Sequence, residues 1–250
     1  MTRRRFYAPP EAFTSAHSLI LQADEARHLR DVLRLKPGDE VYVFDGQGKE
    51  FHCEIEESRK DWARLKVLAP IAPAKPESPL KLTLAVALLK SDKFDLVVQK
   101  ATELGAVRIL PVMTKLADIR LRDEADAAKR VTRWQRIALE AAKQSGRALL
   151  PEVTQPISFP ALTHVVGDQT KVMFSERDGR SINDLKDSGT ESPLAITAVV
   201  GSEGGWTEEE LSLARTSNWV IVTLGGRILR AETAAITAMV LLQHVYGDLR

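Results

Sequence analysis

The stretch Leu194–Val200 is apolar and rich in β-branched residues, and it runs straight into Gly201-Ser202-Glu203-Gly204-Gly205. A run of that kind predicts a strand buried on both faces, as in a parallel sheet covered by helices. The pattern repeats once: Trp219–Leu224 reads as a strand and leads into Gly225-Gly226-Arg227. A helix is predicted after each loop. Thr207 and Glu210 form a capping box that opens the first, and Glu232–Val245 forms the second. Upstream, Lys81–Leu89, Val107–Val112 and Lys171–Phe174 read as strands, and Asp92–Leu104 and Asp123–Ser145 as helices. Phe94, Val97, Val98, Ala101 and Leu104 recur at helical spacing, with Gly105 as the stop. Strand and helix thus alternate, which predicts an α/β fold with a largely parallel sheet.

The prolines at 70, 73, 76 and 79 interrupt any regular element and predict a semi-rigid linker. The expected division is residues 1–72, a proline-rich linker at 73–79, and residues 80–250. The first part reads as mostly β. Glu40–Phe44 precedes the turn signal Asp45-Gly46, while Glu50–Glu56 and Ala63–Leu68 alternate apolar and polar residues. Asp24–Leu33 reads as a short helix with Ala26, Leu29, Val32 and Leu33 on its inner side. A small barrel with one helix fits this length.

Charge is balanced, at a formal net charge of +1 with 28% charged residues. Contact with a nucleic acid therefore has to come from local clusters, since no global field attracts one. Arg3, Arg4 and Arg5, with Arg30 and Arg34, make such a cluster and are expected to meet phosphates. The one cysteine, Cys53, leaves no internal disulfide and fits a reducing cytoplasm. No apolar run follows the three arginines, so no signal peptide is expected. The longest apolar stretch, Leu82–Leu89, falls short of the roughly 20 residues of a membrane span. His52-Cys53 lies in an alternating strand without zinc-type spacing, and no metal is expected.

Five of the 14 glycines fall in the two strand-end loops, which in an open parallel sheet form the crevice where ligands bind. The first loop has neither the spacing of a dinucleotide fingerprint nor the Lys-Ser or Lys-Thr of a phosphate loop. It carries Glu203, which repels a polyphosphate. A nucleoside without phosphate suits it better, and S-adenosylmethionine, with its sulfonium, is such a ligand. In the second loop Ile228 and Leu229 are placed to flank an adenine, and Arg230 to meet an anionic partner.

The run Val199–Thr207, with Glu210 beyond, resembles the Gly-Pro-Glu-Gly-Gly loop of the SPOUT methyltransferases. Leu224-Gly225-Gly226-Arg227-Ile228-Leu229-Arg230-Ala231-Glu232-Thr233-Ala234 resembles their second cofactor loop in the form used by the 16S rRNA uracil-N3 methyltransferases, the RsmE family. Lys100–Gly105 with Pro111, and Glu140-Ala141, Gln144, Arg147 and Pro151, are similar to that family further upstream. So are Arg4–Tyr7, His28, Val32–Arg34 and Asp45-Gly46, which look like its PUA-like domain. Ser202 departs from the pattern, standing where the family usually has proline.

The resemblance implies a trefoil-knotted α/β domain, an exception to the near-absence of knots, preceded by a PUA-like RNA-binding barrel. It implies S-adenosyl-L-methionine as cofactor, held by Phe174, Ser175, Glu176, Val200, Gly201, Ser202, Gly204, Gly205, Leu224, Gly225, Ile228 and Leu229. It also implies a cytoplasmic homodimer acting on 16S rRNA within the small ribosomal subunit, with Arg147 added to the RNA-contacting arginines. Methylating uracil N3 needs a collinear approach and stabilisation of charge on the carbonyl oxygens. Arg230 either supplies that stabilisation or holds the target's phosphate, and Glu203 or Glu232 accepts the N3 proton. Two other readings stay open at this level: a ribose 2′-O-methyltransferase of the same superfamily, and a non-catalytic RNA-binding assembly factor.

Overall fold

The computed structural model describes residues 3–167, 170–185 and 194–249. They form two compact units. The first comprises residues up to Glu77 together with Ala142–Leu150, and the second comprises Ser78–Ala141 and the chain from Pro151 onward.

The first unit contains β1 (Arg5–Tyr7), β2 (Phe13–Ser15), β3 (Ser18–Gln22), α1 (Ala23–Arg27), β4 (Glu40–Phe44), β5 (Glu50–Ser58) and β6 (Trp62–Ile71). Its strands pair in the order β1-β4-β5-β6-β3-β2, antiparallel except for β1 on β4. Alternate residues of β4, β5 and β6, among them Val41, Val43, Cys53, Ile55, Ala63 and Leu65, point into one core with Phe6, Leu19 and Leu29. Burial pushes the Cys53 thiol up to about 12, so this cysteine is a packing residue. At the β4–β5 hairpin, Asp45 Oδ1 accepts from the Gln47 and Lys49 amides, and Gly46 supplies φ +76°.

Two expectations change here. The helix expected over 24–33 stops at Arg27 and continues as a π-helical turn over His28–Val32, in which Leu33 N–H donates to His28 C=O. The wider turn breaks the helical register, so Val32 comes out 69% exposed and Leu35 is buried instead. Pro70, expected to interrupt any regular element, lies inside β6 opposite Phe51. β3 reaches along β6 only as far as Lys66 in register, so Pro70 sits on a free edge where a missing N–H costs nothing.

The second unit holds β7 (Lys81–Ala87), α2 (Ser91–Glu103), β8 (Ala106–Met113), β9 (Glu152–Val153), β10 (Ile157–Ser158), α4 (Phe159–Val165), β11 (Thr170–Phe174), β12 (Ala195–Val200), α5 (Glu208–Thr216), β13 (Val220–Val222) and α6 (Ala231–Tyr246). Helix α3 (Glu124–Ser145) belongs to it except for its last turn. The sheet runs β10-β8-β7-β12-β11-β13, with β9 also on β8, and every pairing is parallel. Helices cover both faces, so the central strands are apolar on both. Leu82, Leu84, Val86, Ile196, Ala198, Val200, Val172 and Phe174 join a core with residues of α2, α3 and α6. Ala85, Val199 and Met173, the intervening residues, join a second core with Phe159, Trp206, Leu211 and Trp219. Fully burying such aromatic side chains contributes about 1.5–3 kcal/mol each, which anchors α4 and α5 at the loop ends discussed next. Among the described residues no helix is long and apolar enough to cross a membrane.

Candidate active site

Because β11, β12 and β13 are parallel neighbours, their C-terminal ends share one edge of the sheet. Three loops leave it: 175–181 after β11, 201–207 after β12 and 223–230 after β13. They border a cleft of about 500 Å³, its open mouth included, lined by Phe174, Ser175, Glu176, Val200, Gly201, Ser202, Gly205, Trp206, Thr223, Leu224, Gly225, Arg227, Leu229, Ala231 and Ala234.

The first glycine loop is a tight turn in which Gly205 N–H donates to Ser202 C=O at 3.0 Å. Its exit is pinned by Trp206, whose indole Nε1 donates to Phe174 C=O at 2.8 Å. Thr207 and Glu210 complete the expected capping box, and Glu210 also accepts from the Lys115 amide at 2.9 Å. Loop 175–181 is tied to β13 by Gly179, whose N–H donates to Thr223 Oγ1 at 3.0 Å. A Cβ there would lie 2.5 Å from the Thr223 backbone nitrogen, so the close approach requires glycine. The second glycine loop is open: a Cβ on Gly225 or Gly226 would meet no atom within 4 Å.

Of the residues expected to hold the cofactor, the structure brings ten to the cleft and leaves two outside its lining. Gly204 faces Leu116, and Ile228 is 87% exposed. Thr223, Arg227, Trp206, Ala231 and Ala234 join the lining without having been singled out. A nucleoside cofactor fits what is present. The lining is mixed apolar and polar, Gly225 borders unfilled space, and Ser202 Oγ is buried without a hydrogen-bond partner among the described residues.

Beside the cleft stands a charged cluster. Arg230 is the N-cap of α6 and its exposed guanidinium makes no ion pair among the described residues. Glu203 Oε1 accepts from Lys93 Nζ at 2.7 Å, and Glu232 Oε2 lies 3.7 Å from the same nitrogen. The Lys93 ammonium holds the Glu203 carboxyl below its usual range, and the lysine is raised in return by Glu203. Glu232 Oε2 is buried and has no hydrogen-bond partner among the described residues. Lys93 carried no signal in the sequence beyond its place at the start of a helix.

The arginines expected on RNA divide. Arg5 is nearly buried: it donates to Glu50 and to the carbonyls of Lys143 and Arg147. Arg3 bonds Glu50 Oε1 and the Ala72 carbonyl, and the buried Arg147 bonds Glu77 at 2.6 Å. These three guanidinium groups serve the interior of the first unit, because the fully buried Glu50 carboxylate and the partly buried Glu77 need cationic partners. Arg30 forks onto Asp31. Arg4 and Arg34 are exposed and make no ion pair among the described residues.

Buried parallel strands ending in glycine loops around a cleft of mixed polar and apolar lining define a cofactor-binding α/β domain. Residues 76–243 match the RNA methyltransferase domain family, and residues 21–68 match the RNA methyltransferase PUA domain. The ribosomal RNA small subunit methyltransferase E of Rickettsia conorii is 35% identical over 96% of this chain and 94% of its own length. That of Synechocystis sp. is 34% identical over 94% of this chain and 75% of its own. The crystal structure of the Neisseria gonorrhoeae ribosomal RNA small subunit methyltransferase E bound to S-adenosyl methionine matches with a TM-score of 0.88 and 35% identity, covering 100% of both chains. The chain belongs to the RNA methyltransferase family, in the branch of the ribosomal RNA small subunit methyltransferases E.

Proposed function

We propose that this protein transfers a methyl group from S-adenosylmethionine to N3 of one uridine in 16S rRNA of the small ribosomal subunit, working as a cytoplasmic homodimer with a knotted C-terminal domain. The observation that carries the reading is the cleft at three parallel strand ends, bordered by both glycine loops and flanked by Arg230, Glu203 and Glu232. When bound, the cofactor supplies an electrophilic methyl group. The chain has to remove the N3 proton and stabilise the charge that spreads onto the uracil oxygens.

Of the two candidate bases, Glu203 is the weaker, because its Oε1 is already bonded to Lys93 and its carboxyl is held low. Glu232 Oε2 makes no hydrogen bond among the described residues and only a 3.7 Å ion pair with Lys93, and we assign it the proton. Arg230, which makes no ion pair among the described residues, stabilises the uracil oxygens with its guanidinium. The exposed Arg4 and Arg34 are the arginines of the first unit best placed for phosphate contact.

Nucleoside mass spectrometry of 16S rRNA tests this. A strain lacking the gene should lose 3-methyluridine from 16S rRNA, and the intact gene should restore it. Loss of a ribose-methylated nucleoside instead would move the assignment to 2′-O chemistry. Wild-type protein that takes up no S-adenosylmethionine in calorimetry would mark an assembly factor.

A further inference from the structure

Lys93 occupies the first turn of α2, where the helix dipole disfavours a cation. Two carboxylates compensate. Glu203 reaches it from the first glycine loop at 2.7 Å, and Glu232 from the first turn of α6, just past the second loop, at 3.7 Å. Both acids therefore lie within 4 Å of one ammonium, each attached to a different cofactor loop. Without that ammonium, two like charges would face each other beside a partly enclosed cleft, and each would push its own loop away. Arg230 is the other cation close enough to influence Lys93.

We infer that Lys93 is a positioning residue of the transfer: its ammonium ties the two glycine loops together through Glu203 and Glu232. It also holds the Glu232 carboxylate in place for the incoming N3–H. This deepens the reading above and rests on it. Lys93 exchanges no proton with the substrate; the N3 proton passes to Glu232 and the lysine stays an ammonium throughout. A 2.7 Å hydrogen bond to Glu203 and a longer 3.7 Å ion pair with Glu232 set apart two acids that the sequence presents as equivalents.

The test compares Lys93→Met, which keeps the stem and drops the charge, with Lys93→Arg, which restores a cation. In cofactor-free protein, amide exchange over residues 201–205 and 229–233 should accelerate together in Lys93→Met and return toward wild type in Lys93→Arg. With saturating cofactor and 30S subunits, Lys93→Met should lower the single-turnover rate at least tenfold. Its cofactor Kd should stay within about threefold, and Lys93→Arg should recover most of the rate. Unchanged exchange with an unchanged rate would overturn the inference. So would a parallel fall in rate, cofactor affinity and melting temperature that arginine does not rescue. If wild-type protein itself bound no S-adenosylmethionine, the functional reading would fail and not the role of Lys93 within it.

Discussion

The two glycine loops look alike in sequence and differ in what their glycines do. In the first, a Cβ on Gly201, Gly204 or Gly205 would come within 3.0 Å or less of Trp206, Leu116 or Glu176. In the second, a Cβ on Gly225 or Gly226 would touch nothing within 4 Å. The first loop uses glycine to let protein pack on protein. The second leaves room for something that is not protein. A glycine count alone does not separate a braced wall from an open one.

Three substitutions sharpen or break that contrast. The largest effect is expected for Gly204→Ala, because its Cβ would lie 2.8 Å from the Leu116 carbonyl oxygen, a backbone atom that cannot swing aside. Overpacking of this kind costs about 1–3 kcal/mol, and a thermal melt should show a drop of several degrees. An unchanged melt would mean the loop is not braced there. Gly225→Ala comes next. Its φ of +74° penalises alanine by about 1–2 kcal/mol, while the new methyl group also enters the cleft that Gly225 lines. Cofactor affinity measured by calorimetry should therefore fall by more than the stability does. If affinity held while the melt dropped, the open space at Gly225 would not belong to the ligand. The smallest effect is expected for Gly226→Ala, which has open space, no positive φ and no place in the cleft lining. Its stability should stay within about 0.5 kcal/mol of wild type. A larger loss would show that the second loop is packed after all.

The parallel sheet and its ligand edge were readable because β7, β11 and β12 are short, apolar runs, and the loops after β12 and β13 are rich in glycine. The capping box at Thr207 was equally plain. What stayed hidden depends on contacts distant in sequence. Nothing about a lysine at a helix start indicates that it meets a carboxylate 110 positions away. Arg3 and Arg5 resemble a solvated basic tail until Glu50 is seen to be fully buried beneath them. Val32 and Leu33 fit a helical stripe, and one π-helical turn moved them off it. β2 is three residues of mixed polarity, too short to show an alternation.

The nine residues Ala142–Leu150, the last turn of α3 and the segment after it, belong to the first unit although the rest of α3 belongs to the second. Gly48 N–H bonds the Ala148 carbonyl, Leu150 N–H bonds the Gly46 carbonyl, and Arg147 closes on Glu77. On the ribosome the N-terminal unit therefore cannot be completed when its last strand emerges. At about 5–20 residues per second it waits several seconds, with the Glu77 carboxylate and the Gly46 turn still open, until a helix of the other unit has been made. A piece ending at Glu77 would preserve that unfinished state, so the natural boundary for cutting this protein in two is not a single point in the chain.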